Sequence, residues 1–507
     1  MPTVRVATWR SATSCGQTIW VTHEQTSNAG SIGKQSSLFL VAATSGLVLV
    51  IEILAGRLMA PYVGVSIDTF TGIIGTILGG IALGAAGGGI LADRYDPVRL
   101  IAQALILGGA LTWVSVPIVS AIGPAVGSGP IAIVTLAATS FVLPTAVLSG
   151  IGPMVAKLEL EDLEESGAVV GRLSAASTFG ALLGTFGTGF ILIALLPVRT
   201  IMFVIGAVLV VAGIAFFAKA KSRPTGSSVV LVIMAGLLSF AINTPCDETT
   251  AYYCIRVVAD DPELRPGGRS LVLDQLRHAH VDLDDPTFLD IRYMRLFANA
   301  EASLAEGPIN VLHIGGGGFT LPRYIDAVRP GSSHTVLELD EDLVPIIQRD
   351  FGLPQDHGYD IRFGDARIQL AELEADSYDL IVGDAYSGVA VPWHLATVEV
   401  VEEIDRLLDD DGIYIANIID GNQNRFIRSQ LATLGEVFGE LVRVEPDGGT
   451  TQRAQNQLVV AAHQPIGDLA IAPEDGRQLD ASELATFVGD DALILRDNFA
   501  PADQLLP

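Results

Sequence analysis

Apolar runs dominate the first half of the chain, near residues 38–59, 70–92, 98–122, 130–156, 173–196, 199–218 and 227–244. Most approach the ~20 residues that cross a hydrocarbon core as a helix, so the pattern predicts six full spans and a short seventh. Past Pro245 the period changes. Short alternating segments, YYCIRVVAD, RSLVLDQL and RHAHVDLD, separated by PGG and DDP turns, predict a β-hairpin region over 250–284, and a helix follows near 287–303. Strand-like runs then alternate with helical ones: VLHI (311–314), HTVLEL (334–339), DIRF (360–363), YDLIVG (378–383), GIYIANI (412–418), LVRVEP (441–446) and QNQLVVAAH (455–463). The early runs are continuously apolar, as buried parallel strands are, whereas the close spacing of the last two predicts an antiparallel edge pair. The expected architecture is a polar tail (1–37), a polytopic helical membrane bundle (38–245), a hairpin region (246–304) and an α/β nucleoside-binding domain of about seven strands (305–507).

Within the second run, Gly80, Gly84 and Gly88 repeat at four-residue spacing, with Gly75 and Gly79 on an adjacent row. Such a bare helix face lets another backbone approach closely. Glu52 and Arg57 lie in or at the end of the first run; Glu52 admits a transport role, but pairing with another helix is the simpler reading for a single acid. Asp93 and Arg94 form a short charged turn like that of major-facilitator carriers. The tail lacks the apolar core of a signal peptide. Positive charge gathers after spans two (Arg94, Arg99), four (Lys157, Arg172) and six (Lys219, Lys221, Arg223), which puts the N-terminus inside. Seven spans would then leave the soluble domain outside, whereas a cytosolic nucleoside donor requires it inside.

Charge narrows the partners. With 57 acidic against 30 basic residues the net charge is −27, which repels nucleic acid and attracts a cationic substrate. The three cysteines, Cys15, Cys246 and Cys254, have no metal-ligand spacing. Cys246 and Cys254 would pair if they face an oxidising compartment; two free thiols are the default.

The chemistry concentrates at strand ends. Four glycines, 315–318, follow the first core strand and would let backbone amides approach a ligand. Glu338 ends the next strand, where an acid hydrogen-bonds ribose hydroxyls. Asp365 follows the third strand, placed to accept from an adenine amino group, and Asp384 closes the fourth over the same crevice. The strand order resembles the S-adenosylmethionine-dependent methyltransferase fold, a Rossmann-like arrangement.

The succession LVLD (271–274), GGG (315–317), LELDED (337–342), GDA (364–366), YDLIVGDA (378–385) and RDNFAPADQLL near the end resembles the spermidine synthase family of polyamine aminopropyltransferases. EILAGRLMAPYVG, with the glycine-rich span ending LADR, resembles its membrane-fused members. The resemblance implies that Gly315, Gly316 and Gly317 carry the donor, Glu338 holds its ribose, Asp365 with Ala366 contacts adenine, and Asp384 is the base that takes the amine proton. On the acceptor side it implies Tyr386, Ser387 and His278; of the hairpin acids Asp282, Asp284, Asp285 and Asp290, one, Asp284 foremost, would replace a missing carboxylate, a solvated acidic loop being the simpler reading. Decarboxylated S-adenosylmethionine would be the co-substrate, a small cationic amine the acceptor, and no metal is required. A homo-oligomer stays open.

The departures fall at the cationic ends. The family's donor-binding aspartate is Gly318 here, its second acceptor carboxylate is Ser387, a tyrosine-glutamine pair is matched to Ile291 and Arg292, and a glutamine to His278. Two alternatives therefore remain: methyl transfer from intact S-adenosylmethionine, or a non-enzymatic polyamine carrier or sensor.

Overall fold

The computed structural model describes residues 33–127, 129–160, 166–219, 226–241, 245–386, 391–446 and 455–506. Six helical stretches are long and apolar enough to cross a membrane: Lys34–Val63, Ile67–Arg94, Pro97–Val126, Pro130–Glu159, Ser166–Leu195 and Val198–Ala218. The seventh apolar run forms a 16-residue helix, Gly226–Ala241, which rises about 24 Å at 1.5 Å per residue.

Glycines set how closely these helices pack. A Cβ at Gly84 would lie 2.0 Å from the carbonyl oxygen of Ala146, and one at Gly88 would lie 2.4 Å from that of Gly150. The second and fourth stretches therefore touch backbone to backbone, as the glycine row predicts; Gly75 and Gly79 instead face open space. The first and fifth do the same, since a Cβ at Gly180 would meet the Ala42 carbonyl at 1.9 Å. Glu52 is half-buried and, contrary to the pairing expected for it, has no ion-pair partner among the described residues.

Two contacts define the faces of the bundle. On one face, Lys157 pairs with Asp93 at 2.8 Å and Ser37 donates to Glu159 at 2.7 Å, so the start of the first stretch lies beside the charged loops. On the other, Arg57 near the end of the first stretch donates to the carbonyls of Thr250 (2.6 Å) and Tyr252 (2.5 Å). Arg199, at the start of Val198–Ala218, donates to the Ser239 carbonyl near the end of the short helix. The short helix therefore runs across the bundle, and the C-terminal domain sits on the face opposite the charged loops.

That domain contains two sheets. The hairpin region is a four-stranded antiparallel sheet of β1 (Glu248–Thr249), β2 (Cys254–Ala259), β3 (Gly268–Leu273) and β4 (Leu276–Asp282). Cys246 and Cys254 form a disulfide at its start, so the free-thiol reading does not hold. The main sheet comprises β5 (Asn310–Ile314), β6 (Ser333–Glu338), β7 (Asp360–Phe363), β8 (Tyr378–Gly383), β9 (Leu408–Asp420), β10 (Glu440–Glu445), β11 (Gln455–Ala462) and β12 (Arg477–Gln478), in the order β12-β10-β11-β9-β8-β5-β6-β7. Strands β5 to β9 run parallel to one another, and β11 inserts antiparallel between β9 and β10. This is the methyltransferase-like Rossmann arrangement expected, with the two-residue β12 as an extra edge.

Both faces of the sheet are covered, which explains its unbroken apolar runs. Val311, Leu380 and Ile415 pack under Leu296, Phe297 and Ile325 on one side, while Leu312, Ile381 and Ala416 pack under Ile404, Phe426 and Leu431 on the other. The hairpin sheet joins through Leu271, Ala279 and Val281 against Phe319, Val336 and Phe351, and so roofs the glycine loop.

The disulfide generates a direct expectation. In purified protein neither Cys246 nor Cys254 should alkylate until a reductant is added, as read by mass spectrometry of the tryptic peptides; labelling without reductant would refute the bridge. For so short a loop, Cys246→Ser should cost about 2–3 kcal/mol of unfolding free energy.

Candidate functional site

The sheet order reverses between β5 and β8, which run to opposite neighbours, and the crevice outside their carboxyl ends is where open α/β sheets bind ligands. Gly315 leaves β5 with φ +104°, and a Cβ there would lie 2.6 Å from the carbonyl oxygen of Asp384. Only glycine permits both that backbone and that approach. The next amides turn inward: Gly316 N and Gly317 N donate to Glu338 Oε2 at 3.0 and 3.3 Å, and Asp340 N donates to Oε1 at 3.0 Å. Burial pushes the Glu338 carboxyl up, and the three amide donors oppose it. The loop closes under the hairpin sheet, where a Cβ at Gly318 would meet the Ala279 Cβ at 2.6 Å.

Asp384 faces this loop. Its Oδ1 accepts from Asn417 Nδ2 at 2.9 Å and its Oδ2 from the Tyr293 hydroxyl at 3.1 Å. Asn417 is itself held, accepting from Asn456 Nδ2 at 3.0 Å through Oδ1 and from the Tyr386 hydroxyl through its carbonyl. Burial pushes Asp384 up to about 7, and the Asn417 and Tyr293 hydrogen bonds hold it from rising further. A carboxylate so poised can exchange a proton near neutrality, as a general base must.

A cavity of about 110 Å³ brings together Gly315, Gly316, Gly317, His278, Asp384 and Tyr386. Glu338 lies beneath it, tied to its glycines. The His278 imidazole, lowered to about 4 by burial, is neutral there. Asp365 and Ala366 stand beyond the cavity lining; Asp365 caps the helix Ala366–Leu370 through Arg367 N at 2.9 Å and lies 3.0 Å from His394 Nε2. Ser387 falls outside the described residues.

Two expectations are corrected. Asp284 is exposed on the hairpin and does not line the cavity; the acids around it serve the hairpin itself, Asp282 pairing with Arg265, Asp290 with Arg277 at 2.5 Å, and Asp285 capping Thr287 N at 3.0 Å. The tyrosine of the helix Arg292–Glu301 is present after all: Tyr293, not Ile291, reaches Asp384, while Arg292 turns to the carbonyls of Asp475 and Asn456. The buried His313 and His334, with Nε2 and Nδ1 3.0 Å apart, form a pair that no sequence spacing marks; His313 lines the cavity.

No family model matches the chain. Among curated proteins it is similar to a polyamine aminopropyltransferase of Vibrio vulnificus, 29% identical over 213 residues that cover 39% of this chain and 70% of that enzyme. It is also similar to the N-terminal histidine N-methyltransferase of Emericella nidulans, 28% identical over 192 residues, 35% of this chain and 34% of that one. Among solved structures it resembles a probable spermidine synthase from Corynebacterium glutamicum, with 25% identity and a TM-score of 0.45, covering 49% of this chain and 95% of the other. These relatives are transferases, and the C-terminal half of this chain is a transferase domain.

The strand-end geometry is testable by substitution. Gly315→Ala meets both a positive-φ backbone and the Asp384 carbonyl, and should cost about 3–5 kcal/mol in unfolding free energy, strain and overlap together. Gly317→Ala, with φ +50° and open space around it, should cost about 1–2 kcal/mol from strain alone. Equal losses would contradict the close approach.

Proposed function

We propose that the domain transfers an aminopropyl group from decarboxylated S-adenosylmethionine to an amine, releasing methylthioadenosine, and that the apolar helices anchor it in a membrane. The observation carrying this reading is Asp384, a base held near neutrality at the switch point beside the glycine loop. In this reading Gly315 to Gly317 admit the donor, Glu338 holds its ribose, and Asp365 with Ala366 meets adenine at the crevice mouth. His278, Tyr386 and Ser387 border the acceptor. The chemistry asks chiefly for alignment of a neutral amine with the carbon beside the sulfonium, together with a proton acceptor. The likeness to a polyamine aminopropyltransferase supports it.

A second reading, methyl transfer from intact S-adenosylmethionine, is favoured by one observation. Gly318 has the Ala279 Cβ within 2.6 Å of its own absent Cβ, so this turn supplies no carboxylate for a donor ammonium. The methyltransferase relative fits it as well. Calorimetry with each donor separates the two: tight binding of S-adenosylmethionine alone would overturn aminopropyl transfer.

Orientation is part of the proposal. Arg94, Arg99 and Lys157 mark the face opposite the transferase domain, and such charge concentrates on the cytoplasmic side. The Cys246–Cys254 bridge agrees, because disulfides persist in oxidising compartments. Both observations support a non-cytoplasmic side for the domain, whereas supply of a cytosolic donor favours the cytoplasmic side.

Three outcomes are expected. Purified protein should release methylthioadenosine from donor plus amine, and Asp384→Asn should lower the rate by about 10²–10⁴-fold; product release by the variant at the native rate would remove Asp384 from the chemistry. Because the ionised carboxylate is the active form, kcat/KM should rise through pH 7, and Tyr293→Phe, which deletes a hydrogen bond favouring ionisation, should move that limb to higher pH. Protease added to intact cells should degrade the transferase domain; degradation only after permeabilisation would reverse the orientation.

A further inference from the structure

We infer that His313 Nδ1 is a hydrogen-bond acceptor in the cavity for a primary ammonium of a bound ligand, and that a chain of contacts ending at Asp326 on the surface fixes its lone pair there. This rests on the group-transfer reading above, in which donor and acceptor both carry such a group.

His313 lies on β5 and His334 on β6, and their parallel register turns both side chains to the face covered by the helix Thr320–Val328. Asp326 belongs to that helix, and its side chain is 42% exposed. The buried His334 Nε2 has Asp326 Oδ1 3.3 Å away and no other partner among the described residues. The approach is oblique for a hydrogen bond. A carboxylate oxygen so close to a buried nitrogen still favours N–H there, because a lone pair would face the negative charge. The Tyr359 hydroxyl donates to the other oxygen of Asp326 at 2.6 Å and holds the carboxylate in place.

Proton counting then fixes the cavity end. Burial pushes the His313 imidazole well below its usual range and lowers His334 as well, so both rings are neutral. A neutral imidazole carries one N–H and one lone pair. With its hydrogen on Nε2, His334 offers a bare Nδ1, and His313 Nε2, 3.0 Å away, is the donor to it. His313 therefore keeps its lone pair on Nδ1. That atom is neither bonded to another described residue nor sealed from the cavity, which His313 lines together with Gly315 to Gly318 and Asp384. Its role differs from that of Asp384. The carboxylate takes the proton that must leave the attacking amine, whereas so weak a base as His313 accepts a hydrogen bond from an ammonium and leaves it its proton.

Asp326→Asn tests the chain from its far end, at nearly constant volume and outside the cavity. Tyr359 still donates to the side-chain oxygen, so the amide nitrogen turns to His334 Nε2, which becomes an acceptor. His334 then donates from Nδ1, His313 accepts at Nε2, and a hydrogen replaces the lone pair on His313 Nδ1.

Calorimetry on the full-length protein in detergent reads the effect, with decarboxylated S-adenosylmethionine as one probe and methylthioadenosine, alone and then with 1,4-diaminobutane, as the other. Asp326→Asn and His313→Leu should each weaken an ammonium-bearing ligand at least tenfold and leave methylthioadenosine within twofold. Loss confined to the decarboxylated donor assigns the ammonium of the donor arm; loss confined to diaminobutane assigns that of the acceptor. Asp326→Asn added to His334→Phe, where the chain is already cut, should change nothing further. Three results overturn the inference: no binding of either ammonium ligand by the native protein, native affinity for both in either variant, or an equal loss of methylthioadenosine. Donor binding without methylthioadenosine release on addition of amine overturns the transfer reading instead and leaves the His313 assignment standing.

Discussion

The fit of Gly315 against the Asp384 carbonyl governs the site. At this point the strand order reverses between two parallel strands, and their ends must pass within a distance that no side chain allows. The consequence is chemical as well as geometric. Bringing β5 and β8 together places the amides that face Glu338 beside the carboxylate that faces Tyr293 and Asn417, so the two acids meet at one crevice from the strands on either side of β5. Widening the gap would admit water to Asp384 and return its carboxyl toward the ordinary range, because its elevation comes from burial.

Much of this was legible because it is local. Continuous apolar runs revealed the parallel strands, and the short spacing between 441–446 and 455–463 revealed the antiparallel pair. Asp384 and Glu338 announce themselves by ending such strands. The failures are tertiary. Tyr293 was overlooked in favour of Ile291, and on a helix turning about 100° per residue an offset of two positions lands on nearly the opposite side. Asp284 is exposed, and two of the acids around it, Asp282 and Asp290, are taken by Arg265 and Arg277, pairings no spacing rule discloses. The His313–His334 contact joins positions 21 apart on neighbouring strands and has no sequence signature either.

The bundle illustrates a different limit. Six runs were long enough to read directly, while the seventh was ambiguous at 16 residues. Only its contacts resolve it, since Arg199 reaching Ser239 and Arg57 reaching Thr250 put its end on the same face as the end of the first stretch. Glycine rows in the second and fifth stretches let the outer helices approach the inner ones backbone to backbone, leaving much of their apolar surface facing outward.

The Arg57 contact extends further than a joint between halves. Its guanidinium holds the carbonyl of Thr250; the Thr250 hydroxyl donates to Asp340 Oδ2 at 2.5 Å; and Asp340 N donates to Glu338 at 3.0 Å, whose other oxygen receives the glycine loop. Helix, turn, aspartate and glutamate form one unbroken relay of hydrogen bonds from the first apolar stretch to the floor of the nucleoside crevice. If the first stretch spans a bilayer as proposed, a tilt that matches it to a thicker or thinner hydrocarbon layer would be felt at the crevice floor. Lipid composition would then be a variable of the proposed site, and the same domain cut free of its helices would be differently tuned.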